Sequence, residues 1–156
     1  MITTRNSVKL WLVFVAALTF IPSLALAAGG ERVYLTSPLA TQHHLPFSSG
    51  VLVGNTLYIA GTTGTSPAGA SALTPTQEAR AVMDNVKHVV ERAGMTMDDI
   101  VSLQVFCTNL RDYDAFNAVY RTYFHGHYPA RAFIGVASLL FGARYEVNAI
   151  AVRPGK

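Results

Sequence analysis

The chain has 156 residues, 51% of them hydrophobic, with 12 basic and 9 acidic side chains and a formal charge of +3. That length suits one domain with a buried core, and so weak and unclustered a charge gives no phosphate-neutralising face for nucleic acid. The single cysteine, Cys107, excludes an intramolecular disulfide.

The first predicted element is a leader. Arg5 and Lys9 precede an almost wholly apolar run from Leu10 to Leu26, and Ala25 and Ala27 supply the small-x-small pattern of a cleavage site. The run is short for a membrane span, which takes roughly 20 residues. Pro22 also disturbs it as a helix. The expectation is a secretory signal over residues 1–27, and a mature domain over residues 28–156. That domain is expected to be periplasmic or secreted, with no stable membrane association. Cleavage removes Arg5 and Lys9 but none of the nine acidic residues, so the charge falls from +3 to +1.

In the mature domain, Val33–Leu35 reads as a short strand, and Thr36 to Gly50 as an ordered loop or strand approach. Val51–Val53 and Thr56–Ala60 flank Gly54-Asn55, a hairpin signal. Gly61 to Ser71 reads as a surface loop. Thr74, Pro75 and Gln77 form a helix start with a capping box, and Gly94 forms its stop. Between them Ala79, Val82, Met83, Val86, Val89, Val90 and Ala93 recur at helical spacing, with Glu78, Arg80, Asp84, Lys87, Glu91 and Arg92 assigned to the surface. Ile100–Thr108 is a central strand containing Cys107 as a buried, unreactive thiol. Asp112 starts a second helix, with Phe116, Val119 and Tyr120 inward. Ala132–Ser138 and Arg144–Val152 are the last strands.

The pattern β-β-β-α-β-α-β-β puts two helices on one face of a sheet. The last strand alternates Tyr145, Val147, Ala149 and Ala151 on one side with Glu146, Asn148, Ile150 and Val152 on the other. Both faces carry apolar residues, which predicts self-association over the uncovered face.

Glu146 is the sharpest chemical group, because a carboxylate in a largely apolar strand must be solvated, paired or used. An exposed strand residue, or an ion pair with Arg131 or Arg144, remains an alternative. Arg131 enters a strand after Pro129-Ala130, where a guanidinium can clamp a small carboxylate through two hydrogen bonds. His43-His44 and His125-Gly126-His127 lack a metalloenzyme spacing, and the glycines of 61–64 form no nucleotide loop. No metal and no cofactor is expected.

Pro129-Ala130-Arg131-Ala132, Val136-Ala137-Ser138-Leu139 and Tyr145-Glu146-Val147-Asn148-Ala149-Ile150-Ala151 together resemble the C-terminal signature of the RidA/YjgF/YER057c/UK114 family, also labelled L-PSP endoribonuclease-like. Pro46-Phe47-Ser48, the run Gly54 to Gly61, Asn85 with Ala93-Gly94, and Phe116-Asn117-Ala118-Val119-Tyr120 extend the resemblance over about residues 43–153. It implies a chorismate-mutase-like α+β fold, a mixed sheet with two helices on one face, and a homotrimer with a central β-barrel and clefts between subunits. The implied activity is hydrolysis of reactive imines and enamines of 2-amino acids to 2-keto acids and ammonia. A non-catalytic trimeric small-carboxylate binding protein is the alternative. By the same resemblance, Arg131 holds the substrate carboxylate and Glu146 serves the attacking water. Asn117 and Phe47 lie at the cleft, and Gly61 shapes it. The chain departs from the family pattern at Phe47 (commonly tyrosine), Thr62 (glutamine), Ala132 (serine) and Leu140 (proline).

Overall fold

The computed structural model describes residues 30–65 and 73–155. The leader expected over residues 1–27 lies outside them. Six strands and three α-helices follow in the order β1 (Arg32–Leu35), α1 (Pro38–Gln42), β2 (Gly50–Val53), β3 (Thr56–Thr63), α2 (Pro75–Arg92), β4 (Ile100–Cys107), α3 (Tyr113–Tyr120), β5 (Ala130–Gly135) and β6 (Tyr145–Val152). No helix among the described residues is long and apolar enough to cross a membrane.

The local chemistry of α2 is the one its sequence dictates. Thr74 Oγ1 accepts the Gln77 N–H at 3.3 Å, and Gln77 Oε1 accepts the Thr74 N–H at 2.9 Å. This reciprocal box satisfies donors that a helix start otherwise leaves unpaired. At the other end Gly94 takes φ 69°, a left-handed conformation that glycine adopts without penalty. Gly54 does the same at φ 57° in the two-residue turn joining β2 to β3.

The sheet order is β1-β2-β3-β6-β4-β5, antiparallel except for the parallel β4–β5 pair that α3 bridges. Two expectations are corrected here. The sheet is open rather than closed into a barrel, because β1 and β5 lie at opposite ends and each has a ladder partner on one side only. Among the described residues the α-helices number three rather than two. Ser37 makes the extra one: its Oγ accepts the Ala40 N–H at 3.1 Å, its carbonyl accepts the Thr41 N–H, and Pro38 stands in the first helical position.

The core lies between α2, α3 and one face of the sheet. Val82, Met83, Val86 and Val90 of α2 pack with Leu57, Leu103, Val105 and Val147 of the strands, and Phe116 of α3 meets Tyr145. In β6, Tyr145, Val147, Ala149 and Ala151 are buried, while Glu146, Asn148 and Ile150 are only partly covered, as their alternation predicts. Strand pairing extends that second face to Tyr58 of β3, Phe106 of β4 and Ile134 of β5, and among the described residues the core-forming helices α2 and α3 lie on the other face.

Candidate active site

Two groups of predicted residues form, one on each face of the sheet. On the open face, β3 carries an irregularity between Ile59 and Thr62, so that Ala60 and Gly61 together oppose the stretch around Asn148. Such a bulge locally re-aims a strand. It brings Gly61 against Glu146: a Cβ at Gly61 would overlap the Glu146 carboxylate. Phe47, 53% exposed, leads into β2 two residues before Ser49, whose carbonyl accepts the Ala60 N–H at 3.0 Å. Gly61 and Glu146 therefore meet on one face, and Phe47 lies in the segment that enters β2 beside that end of β3. The alternative partner of Glu146, Arg144, is engaged elsewhere, with Glu78 and Asp112.

Arg131 is on the other face. Its parallel partner is Leu103, a core residue, so its side chain shares the helix-covered side. There its guanidinium carbon sits 4.5 Å from the centre of the Tyr120 ring and 5.8 Å from those of Tyr113 and Phe133. A guanidinium over an aromatic face is attracted by the ring quadrupole. Asn117 stands on the same face of α3, four residues after Tyr113 and three before Tyr120. Asn117 Oδ1, Tyr120 Oη and Arg131 Nη1 are all buried and lack a hydrogen-bond partner among the described residues. Burial pushes the Tyr120 hydroxyl up to about 12, with nearby Arg131 pulling the other way.

Tyr113, Tyr120 and Phe133 were not legible as companions of Arg131, although the spacing of Tyr113, Asn117 and Tyr120 marks a single helix face. Glu78 is a correction: assigned to the surface, it is 2% exposed. The signal was its position four residues before Val82 and eight before Val86, on the apolar stripe. Cys107 is buried as expected, and burial raises its thiol above the ordinary value.

Two concavities, of about 500 and 570 Å³, are lined by α2 and the segments beside it and include none of Phe47, Gly61, Asn117, Arg131 or Glu146. Among the described residues, no three His, Cys, Asp or Glu side chains are grouped to hold a metal ion.

An open α+β sheet backed by helices, with an arginine set among aromatic rings on one side and a bulge-seated carboxylate on the other, defines a class that comparison makes specific. The family model described as Endoribonuclease L-PSP matches residues 38–153. The chain is 38% identical over 120 residues to 2-iminobutanoate/2-iminopropanoate deaminase of Dermatophagoides farinae, covering 76% of this chain and 94% of the relative. It is also 38% identical to the enzyme of the same name from Escherichia coli K12, with coverage of 69% and 88%. The structure of E. coli TdcF with bound serine superposes with a TM-score of 0.66 at 34% identity, covering 70% of this chain and 89% of that one. The chain belongs to the RidA/YjgF/UK114 family, the L-PSP endoribonuclease-like proteins.

Proposed function

We propose that the protein hydrolyses reactive 2-imino and 2-enamino acids to 2-keto acids and ammonia, a reading supported by relatives named 2-iminobutanoate/2-iminopropanoate deaminase. The observation that carries the site assignment is Arg131: its guanidinium lies over the Tyr120 ring while its buried Nη1 has no partner within the described chain. A guanidinium in that condition favours a carboxylate, which can satisfy it with charge-assisted hydrogen bonds. The serine bound to E. coli TdcF is a ligand of compatible chemistry, a small molecule with an α-carboxylate.

The substrate carboxylate docks on Arg131, and Asn117 offers a polar contact beside it. An enamine first takes a proton on carbon to become the electrophilic imine. Water oriented by Glu146 adds to the C=N carbon while the nitrogen takes up a proton. Collapse of the resulting carbinolamine expels ammonia and leaves the keto acid. Gly61 leaves room for the carboxylate of Glu146, and Phe47 provides an apolar wall without a hydroxyl. Because Arg131 and Glu146 stand on opposite faces of one sheet, the complete site combines the arginine of one chain with the glutamate of another. A homotrimer built over the uncovered face supplies that combination.

The export leader expected over residues 1–27 places this chemistry outside the cytoplasm, in the periplasm or beyond. N-terminal sequencing of the exported protein, beginning at Ala28, is the corresponding check.

The activity is tested by generating short-lived imines with an amino-acid oxidase and following ammonia and keto-acid release. R131A should lose roughly 2–5 kcal/mol of charged-pair binding, read mainly as KM. R131K should recover little of it, since an ammonium does not fork onto a carboxylate as a guanidinium does. Wild-type rates equal to the enzyme-free control across several amino acids would overturn the deaminase assignment. Arg131-dependent carboxylate binding without turnover would favour a binding protein instead, the outcome to which the missing hydroxyl at Phe47 points.

A further inference from the structure

Glu78 is a carboxylate inside the hydrophobic core, on the stripe of α2 that carries Val82 and Val86. A charge in such a place costs several kcal/mol unless its oxygens are paired. Here they are spent on the entrance to β6. Oε1 accepts the backbone N–H of Arg144 at 2.5 Å and that of Tyr145 at 3.3 Å. Oε2 lies 3.6 Å from Arg144 Nε, and Asp112 holds the other end of that guanidinium at 3.2 Å. The residue that follows this doubly anchored pair is Glu146.

The neighbouring strand is seated on the same residue. A Cβ at Gly64 would stand 2.6 Å from the Glu78 carbonyl oxygen and 3.1 Å from its Cγ. Gly64 directly follows Thr63, the strand partner of Glu146. Glu78 thus touches both backbones that set the position of the open-face carboxylate, although it lies on the opposite side of the sheet.

We propose that Glu78 is a positioning residue for the hydrolysis, fixing Glu146 through the backbone N–H groups of Arg144 and Tyr145; this rests on the assignment of Glu146 to the attacking water. What matters for this role is reach rather than charge. A glutamine retains an acceptor oxygen at the same distance, whereas an aspartate keeps the charge but is one methylene too short to hold both N–H groups.

The test compares E78Q, E78D and E146Q in the purified full chain, with 2-iminopropanoate generated from alanine by an amino-acid oxidase. E78Q should keep kcat within about threefold of wild type, while E78D loses ~10-fold or more in kcat with KM within about twofold, as expected when a reacting group shifts but substrate binding does not. Loss that follows the charge, equal loss in both variants, or loss in neither overturns the proposal. E146Q separates the two levels: wild-type kcat in that variant removes the assignment of Glu146 itself, whatever the Glu78 variants do.

Discussion

At Gly61 a single methyl group distinguishes effects on stability from effects on turnover. Its Cβ would meet the far end of the Glu146 side chain, which can swing aside, and the backbone there does not need a left-handed conformation. Alanine also restricts the unfolded chain, a gain of about 0.4–1 kcal/mol where the native backbone accepts it. G61A should therefore melt close to wild type yet lose ~10-fold or more in kcat, because the displaced carboxylate no longer meets the water. Thermal melts and steady-state kinetics on one preparation check it; a parallel fall in both would mean the site had simply come apart. Buried hydroxyls give a second residue-scale expectation. Burial raises Tyr120 to about 12, and raises Tyr123 and Tyr145 as well. Raised folded values favour the neutral form, so this stabilisation is complete below the unfolded value of about 10 and is lost as pH rises through the folded values. Urea midpoints should hold from pH 8 to about 9 and fall between about 10 and 12; a flat profile would contradict the burial of these rings.

Among the elements, α2 offers the cleanest local test. Thr74→Ala removes the acceptor for the Gln77 N–H and should cost about 1 kcal/mol, seen as a lower urea midpoint at unchanged m. That helix and β6 were legible in the sequence because their information is local: capping chemistry at fixed spacing, and a strict alternation that assigns Glu146 to a face. α1 was not, since one turn opened by Ser37-Pro38 has the composition of a loop. The extension of β3 to Thr63 was hidden too, because the bulge at Ala60-Gly61 breaks the alternation that marks a strand. For the site, the face of Arg131 could not be read from Ala-Arg-Ala-Phe. It is set by the pairing of Arg131 with Leu103 across a parallel ladder that only tertiary structure creates. Glu78 was misassigned although its place on the apolar stripe was a local signal, because the partners that satisfy a carboxylate there, Arg144 and Tyr145, lie 66 and 67 residues away.

At the scale of the whole molecule, the open sheet and the separation of Arg131 from Glu146 have one origin. A chain whose helices cover a single face leaves Glu146 on the other, while Arg131 is drawn beneath α3 at the edge strand β5. Each residue stands on its own face of the isolated chain, so turnover should depend on assembly. The decisive measurement uses two inactive variants. R131A supplies intact Glu146 and E146Q supplies intact Arg131, so neither homo-oligomer can complete a site. Unfolded together in equal amounts and refolded, they should assemble at random. Half the clefts then receive an intact arginine, and half of those an intact glutamate, giving about a quarter of wild-type activity. Refolding each variant alone and mixing afterwards should give little, unless subunits exchange, and the double variant R131A/E146Q refolded with wild type sets the dilution baseline. A co-refolded mixture that stays inactive, while sedimentation shows mixed oligomers, would mean that both residues act within one chain and that the faces on which they stand do not divide the site.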